Sequence, residues 1–453
     1  MRNLLGVTIC VLAIVVTFSL DLSLGSGLSL KNVFIYLAAA VLIFQAILGQ
    51  PLKSEIRGLN VCFGVLIAYA LLSTFVAADI LQYRGYAVLS NIIYLKSVLF
   101  DWWVLFAIFF YGARSVEDVE TLIKLLLIAM SLANIATLGQ LSGVIHLGRE
   151  VIGEKPDEDR RIFGVFGHAN ETGTLIACLI PVYIAVADSA TGIRRWLWIG
   201  GMMASLTVLL LTASRGALAG FFLGGLWAAI LCRRYLSLQR ALRWVSLTVA
   251  VLIPILIVVG IKYWDWFLAR FSEVNHGGES GSVREMSSGR TEIWADGLER
   301  MLEQPWSFLT GFGWNSWSVM GFYYIPHNQY LSLWFELGLV GLVCFILLMS
   351  KSVSAALSAA IVADPKARRY MVACVFAVLI LSIAVIFAVL FIPWYFIWPY
   401  IGLSMRYASI VLARSKRESI AAQPGSIARA AVVASKPFTA TPVGLPRRPV
   451  AGR

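Results

Sequence analysis

The chain has 453 residues, of which 59% are hydrophobic and only 14% are charged, with a formal net charge of +12. These proportions exclude a water-soluble globule with an ordinary polar surface. They indicate instead a protein that crosses a membrane many times.

A helix needs about 20 mostly apolar residues to cross a bilayer. Twelve segments meet this requirement, so we predict an all-α, polytopic integral membrane protein with about 12 transmembrane helices within residues 1–413. The first span is expected to be retained, because no small-residue cleavage site precedes Asp21. The predicted spans are residues 4–20, 32–49, 59–77, 97–113, 121–145, 170–189, 195–213, 215–232, 244–262, 329–350, 370–392 and 394–413.

Lysine and arginine in the short loops set the predicted orientation. If the N-terminus is cytoplasmic, the basic clusters at 53–57, 194–195, 233–243 and 366–369 all fall on the cytoplasmic side. The tail, residues 414–453, repeats Ala, Pro, Val and Arg without an aromatic core pattern, which predicts a disordered basic cytoplasmic segment. The basic residues lie beside spans, so we expect them to contact membrane lipids and not nucleic acid.

The six cysteines lie within or at the ends of apolar segments and show no paired spacing. Such cysteines are typical of small packing residues and not of a disulfide set or a metal site. No nucleotide-binding fingerprint or P-loop is present, so we predict no cofactor.

The first outer loop begins at residue 146 and carries Asp157 and Asp159, followed by Arg160 and Arg161. An Asp-x-Asp pair can hold a divalent cation and its bound diphosphate. An acidic run followed by arginines is more typical of a solvated loop that neutralises itself, so we predict no metal ligands here. Arg161 is kept as a candidate substrate-binding residue.

The same loop ends in a glycine-rich stretch before the next span. Gly164 and Gly167 permit a sharp re-entry of the chain, and His168 and Asn170 are placed to cap the start of the helix. Capping alone explains Asn170. For His168, structural hydrogen bonding and substrate contact both remain open.

Arg215 lies between two apolar runs, in a predicted turn on the outer face. An arginine at the end of a span often only snorkels to the interface. Here the apolar run resumes at once and Gly216 allows close packing, so the guanidinium is expected to be fixed. A fixed guanidinium can bind a phosphate through two hydrogen bonds, and we favour that function.

The second outer loop, about 263–328, is too long to be a simple connector. Residues 290–304 have a helical apolar stripe that ends before Pro305, which predicts a short amphipathic helix with Ser287 or Ser288 as its N-cap. Arg290 falls in the first turn, where the helix dipole disfavours a cation but favours a bound anion. Arg290 is therefore a second candidate phosphate ligand.

His327 directly precedes the tenth span, with Asn328 beside it and Glu336 inside the apolar run. Together with Asn170, these two neighbours are also candidate substrate-binding residues. A histidine here could be an interfacial anchor. Glu336 would be unfavourable in the membrane without a partner, so we expect it to pair with Arg215 or another basic group, or to orient the site. A neutral imidazole can take a proton from a sugar hydroxyl, which makes His327 the candidate catalytic base.

These motifs together resemble the superfamily of O-antigen ligases and O-antigen polymerases, which are glycosyltransferases of the bacterial envelope. The resemblance covers roughly residues 160–345, and Ala169 stands where the family commonly has proline. The matching segments are Val165–Asn170, Ser214–Gly216, Ser288–Arg290, His327–Leu331 and Glu336–Gly341.

The resemblance implies an inner-membrane enzyme with its active site on the periplasmic face, acting without metal or nucleotide. Its donor would be a glycan on a polyprenyl pyrophosphate, and its acceptor a glycan or a lipid-linked sugar. Arg215 and Arg290 would bind the pyrophosphate and His327 would activate the acceptor. Other polysaccharide export proteins are expected partners.

Two other functions stay open. A transporter or flippase component could also have about twelve spans, but no inverted repeat is evident and the polar candidates gather on one face. A scaffold subunit of an export complex would need neither Arg290 nor His327. Within the enzyme class, the residues do not separate a ligase from a polymerase or a protein-glycan transferase, and the modest outer loop favours a polymerase or exopolysaccharide role.

Overall fold

The structure is a computed structural model that describes residues 1–18, 23–25, 28–49, 54–56, 58–145, 162–164, 166–239, 242–246, 248–250, 253, 257, 290–322, 325–388 and 394–421. The predicted all-α class is confirmed. Within the described residues, the strands are β1 (Ser23–Gly25) and β2 (Leu28–Ser29), which form one short antiparallel pair.

The described helices follow the predicted order along the chain. Those of the first half are α1 (Arg2–Thr17), α2 (Leu30–Ile47), α3 (Leu59–Phe75), α4 (Val88–Leu95), α5 (Asp101–Gly112) and α6 (Val116–Leu141). Those of the second half are α7 (Ala169–Asp188), α8 (Gly192–Leu211), α9 (Arg215–Ala219), α10 (Gly225–Leu231), α11 (Arg290–Glu303), α12 (Ser307–Thr310), α13 (Gln329–Val362), α14 (Pro365–Ala384) and α15 (Trp394–Ala421). Single π-helical turns extend α3 to Ile80, join α4 to α5, and join α9 to α10.

Eight helical segments of the described chain are long and apolar enough to cross a membrane. Two shorter apolar helices, Arg2–Thr17 and Arg215–Leu231, accompany them. Most of the predicted ninth span, 244–262, lies outside the described residues. The chain is therefore polytopic, and the count of twelve stays a prediction.

Two boundaries differ from the predicted ones. The fourth span begins at Val88 and not at 97, because the polar side chains of Asn91 and Lys96 find partners inside the protein. Helix α15 runs to Ala421, so the first part of the predicted disordered tail is helical. The rest of the tail lies outside the described residues.

Contacts between helix ends show that the basic loops and the candidate motifs lie on opposite faces. On one face, the Lys366 ammonium at the start of α14 donates to the Glu120 carboxylate (2.6 Å) at the start of α6. On the other, the Ser214 hydroxyl donates to Asn170 Oδ1 (2.9 Å), which joins the start of α9 to the start of α7. Which of the two faces is cytoplasmic stays a prediction.

Helix α7 lies at the centre of the bundle, with 89% of its apolar window buried inside the protein. It packs against both α8 and α14. Its first turns also lie close to the turn between α8 and α9. A Cβ on Gly173 would meet the side chains of Thr212 and Ala217 there, so a small residue is needed at this position. The N-terminal end of α7 is thereby fixed against the turn that carries Arg215.

Helix α13 is broken near its start. Gly338 has φ 57° and ψ −153°, which is not helical. The break removes the usual helical partners of two carbonyl groups, and the backbone N–H groups of a loop replace them. Phe312 N donates to Phe335 O (2.8 Å), and Gly313 N donates to Glu336 O (2.9 Å).

Side chains from three helices hold the same loop. The Glu336 carboxylate accepts a hydrogen bond from Asn315 N (3.0 Å), and Asn315 Nδ2 donates to Asn91 Oδ1 (2.7 Å) on α4. Trp314 N donates to the Ser73 hydroxyl (3.1 Å) on α3. We call residues 311–317 the docking loop, because it joins α3, α4 and α13.

Helix α11 lies where it was predicted and rests on the docking loop. Gly297 and Met301 are buried, and a Cβ on Gly297 would meet the Trp317 ring. Leu302, predicted to share the buried stripe, is 67% exposed, so the buried face is narrower than the sequence pattern suggested. The predicted N-cap serines lie outside the described residues.

We predict that Gly338→Ala destabilises the protein. A side chain at this φ and ψ is strained by about 1–3 kcal/mol, and the added Cβ would also meet the Leu309 carbonyl and the Gly311 backbone N–H. Thermal unfolding of the detergent-purified protein measures the loss. Gly64→Ala is the control, since a Cβ there meets nothing within 4 Å, and equal melting temperatures for the two variants would contradict the prediction.

Candidate functional site

The turn between α8 and α9 places Arg215 as the first residue of α9. Ser214 caps this helix by accepting a hydrogen bond from Ala217 N (3.3 Å). Gly216 packs against Phe387, whose side chain an added Cβ would meet, so the predicted close packing is present. Arg215 is therefore held at the positive end of a helix dipole, where an anion is favoured.

The glycine-rich loop before α7 makes the predicted sharp re-entry. Gly164 and Gly167 have φ values of 64° and 71°. A Cβ on Gly164 would meet Thr172, whose hydroxyl donates to Phe163 O (2.6 Å). The loop is thus locked onto the first turn of the helix that it enters.

The predicted side-chain caps of α7 are wrong. His168 occupies the N-cap position, but its side chain makes no capping hydrogen bond. Asn170 is in the first turn of the helix, is buried, and accepts from the Ser214 hydroxyl. Asn170 therefore couples α7 to the Arg215 turn, a long-range contact that a local capping pattern cannot reveal.

His327 is held between two fixed neighbours. The carbonyl of Pro326 accepts a hydrogen bond from Trp294 Nε1 (2.6 Å) on α11. Asn328 caps α13 by accepting from Leu331 N (3.0 Å). His327 itself has φ 47°, an unusual value for a residue other than glycine. Such strain at a polar residue is consistent with a functional constraint.

The imidazole rings of His168 and His327 are stacked, with their centroids 6.4 Å apart. Burial, the positive charge of Arg290 and the nearby His168 together lower the pKa of His327 from 6.5 to about 4. Each of these factors disfavours the imidazolium form. His327 is consequently neutral at neutral pH and able to accept a proton.

Arg290 is the first residue of α11 and lies within electrostatic range of His327. The Trp294 bond to Pro326 O ties the first turns of α11 to the chain just before α13. In the sequence Trp294 reads only as part of an apolar stripe, whereas in the structure its indole N–H links α11 to the chain just before His327. An interfacial tryptophan one turn after the arginine is the signal that could have indicated this.

The expected pairing of Glu336 with Arg215 is wrong. Within the described part of the chain, the Glu336 carboxylate contacts the backbone N–H of Asn315, and the residue is 6% exposed. The buried position was anticipated, but the partner was not. A backbone donor from a distant loop leaves no signature in the residue types.

Several predicted positions lie outside the described residues. They are Arg161, Asp157, Asp159, Ser288, Gly289 and most of the long outer loop, 263–289. Among the residues that are described, no three or more His, Cys, Asp or Glu side chains are grouped to hold a metal ion. The absence of a metal in the reaction stays a prediction.

The described site thus combines a neutral, half-buried imidazole with guanidiniums at two helix starts. Helix starts and guanidiniums both attract phosphate. A neutral imidazole accepts protons. This combination suits a reaction in which a phosphate leaves and a hydroxyl attacks.

Residues 200–346 match the family model described as O-antigen ligase. A search of curated proteins finds no match to the chain. The matched region contains Arg215, Arg290, His327 and Glu336, while His168 and Asn170 precede it. The resemblance drawn from the motifs is therefore confirmed over residues 200–346, which are similar to the O-antigen ligase family.

Proposed function

We propose that this protein transfers a glycan from a polyprenyl-pyrophosphate carrier to a sugar hydroxyl at the periplasmic face of the bacterial inner membrane. It would act as an O-antigen ligase or as a polymerase of a surface or exported polysaccharide. The observation that carries the proposal is the neutral imidazole of His327 within range of Arg290, inside the family match.

The arginines serve the leaving group. When the bond between the anomeric carbon and the phosphate oxygen breaks, its electron pair stays on that oxygen and adds negative charge to the pyrophosphate. Arg215 and Arg290 at helix starts stabilise this charge as it develops. A pyrophosphate stabilised in this way departs without a strong general acid.

His327 serves the acceptor. The acceptor oxygen forms the new bond to the anomeric carbon, and its proton passes to the imidazole. The proton then leaves for solvent, so the enzyme returns to its starting state. The fixed backbone on both sides of His327 reduces the freedom that the ring would otherwise have to lose on reaching the reactive geometry.

Donor binding should also strengthen the base. The charge of Arg290 is one cause of the low pKa of His327. A bound pyrophosphate offsets that charge, so the pKa of His327 rises when the donor is present. The imidazole is then a better proton acceptor once the reaction can occur.

The remaining candidates fall into two groups. Asn170, Asn328 and Glu336 are proposed to position the site through Ser214, α13 and the docking loop respectively. His168 is proposed to contact substrate beside His327. Arg161 is proposed as a further substrate-binding residue on the ground of its sequence position alone.

The glycan profile of a deletion strain separates the two forms of the proposal. Full-length polymer stranded on the lipid carrier would identify a ligase. A single repeat unit on the final acceptor, or no polymer at all, would identify a polymerase. An unchanged profile together with undisturbed transfer would contradict both.

We predict that Arg290→Ala abolishes transfer while the protein still inserts in the membrane. Arg290→Lys should restore only part of the activity, because an ammonium cannot replace a two-pronged guanidinium. The measurement is transfer by purified protein from a lipid-linked donor. Arg300→Ala on the exposed side of the same helix is the control, and full activity of Arg290→Lys would count against the two-pronged contact.

We predict that His327→Ala lowers the rate of transfer by about 10²–10⁴, the usual contribution of a general base. Membrane abundance and binding of the donor lipid should stay normal, because the lost group acts only on the acceptor. If the purified variant transfers glycan at nearly the wild-type rate, the catalytic assignment is wrong and His168 becomes the next candidate.

The pH dependence gives a further prediction. Since the folded pKa of His327 is lowered to about 4, kcat/KM should persist in mild acid and fall only as pH approaches that value. The pH profile of kcat reports the pKa of His327 in the donor complex. The bound pyrophosphate raises that pKa, so kcat should begin to fall at a higher pH than kcat/KM does. Two coincident acid limbs near the unperturbed pKa of about 6.5 would show that neither burial nor Arg290 lowers the pKa of His327, and would contradict this prediction.

We predict that chelators leave transfer unchanged, because the two guanidiniums supply the positive charge that the leaving group needs. Asp157→Ala together with Asp159→Ala should also be tolerated. Transfer by the purified protein in the presence of EDTA measures this. Activity that is lost with EDTA and returns with magnesium or manganese would contradict the proposal.

A further inference from the structure

A cavity of about 780 Å³ lies on the face of the protein opposite the candidate site. Its walls come from α7, from the helix formed by α9 and α10, and from α14, and residues 234–237 line its mouth. Its volume falls within the range of small-molecule sites in proteins. We call it the arginine groove.

The shape of the groove follows from where glycines let helices meet. A Cβ on Gly224 would meet the backbone of Ile380, so the π-helical turn between α9 and α10 lies directly against α14 at the inner end of the groove. From there the groove extends towards residues 234–237 and the start of α14. Phe222 and Leu226 line the groove and are 66% and 61% exposed, so it opens sideways towards the bilayer.

Charge is concentrated at the mouth of the groove. The mouth is lined by three arginines, Arg234, Arg368 and Arg369. Among the described lining residues, one is acidic, Asp188. The carboxylate of Asp188 already lies 3.9 Å from the Arg195 guanidinium. The mouth therefore carries an excess of positive charge directly below an apolar chamber.

The two arginines of α14 are held in place. Arg368 donates to the carbonyl groups of Ala360 and Ala363 at the end of α13, and Arg369 donates to the Asp188 carbonyl at the end of α7. Arg369 Nε is buried, and no acceptor for it is found in the described chain. Arg369 therefore lines the groove with a guanidinium whose hydrogen-bonding capacity is not fully used within the described chain.

We propose that the arginine groove binds one anionic glycerophospholipid of the leaflet opposite the candidate site. Its phosphate would lie at Arg234, Arg368 and Arg369, and an acyl chain would lie between α7, α10 and α14. Basic pockets between helices on this face of a membrane recognise anionic head groups. The apolar chamber favours an occupant with an acyl chain over a soluble anion, because a soluble anion would leave the apolar wall without a partner from the same molecule.

The test uses the full-length protein in detergent, titrated with phosphatidylglycerol or with phosphatidylcholine of the same acyl chains. Native mass spectrometry counts the lipids retained. We expect one phosphatidylglycerol to be retained with at least about tenfold preference, which is roughly 1.4 kcal/mol. Equal retention of the two lipids would overturn the proposal.

Two matched pairs of variants locate the lipid. Arg234→Glu reverses a charge at the mouth, and Arg233→Glu makes the same change on an exposed neighbour outside the groove. Gly225→Phe fills the apolar chamber, and Gly200→Phe is its control, since it adds the same ring on α8. Both changes should be tolerated, because a Cβ at either glycine meets nothing within 4 Å. The first member of each pair should reduce retention by about tenfold or more, and the second should not.

Retention of phosphatidylglycerol by Gly225→Phe at the wild-type level would place the lipid elsewhere and overturn the proposal. A loss that is equal in Arg234→Glu and Arg233→Glu would show only a general attraction to basic residues, and would also overturn it. These outcomes do not depend on transfer activity.

Discussion

The candidate site depends on the break in helix α13. Because Gly338 leaves the helical conformation, the carbonyls of Phe335 and Glu336 become available to the docking loop. The loop presents Trp317 as the surface on which α11 packs, and Trp294 then ties α11 to Pro326. The non-helical Gly338 thus begins a series of contacts that runs from α13 through the docking loop and α11 to the chain just before His327.

The electrostatics of the site follow from this assembly. Arg215 and Arg290 each stand at the start of a helix, where the dipole opposes a cation. A bound anion would offset that placement at both helices. Two cations at positions where a helix dipole favours an anion are the arrangement expected of a preorganised anion site.

Local patterns predicted the parts of this site that local forces determine. The apolar stripe of α11 and the resumption of the apolar run after Arg215 placed both arginines correctly at helix starts. The partner of Glu336 was missed, because it is a backbone N–H of Asn315 and depends on the docked loop. The start of the fourth span at Val88 was missed for a related reason: Asn91 looks unsuited to a membrane helix until Asn315 satisfies it.

The two faces of the protein are mechanically connected through α14. The first turns of this helix carry Arg368 and Arg369 at the arginine groove. Just after its other end, the Val385 carbonyl accepts a hydrogen bond from Gln329 N (2.9 Å). Gln329 is two residues after His327. Helices transmit displacement along their axes with little deformation, because their backbone bonds are internal. A lipid that fixes α14 against α7 in the groove would therefore also fix the backbone that supports His327, so the composition of one leaflet could set the geometry of chemistry at the other.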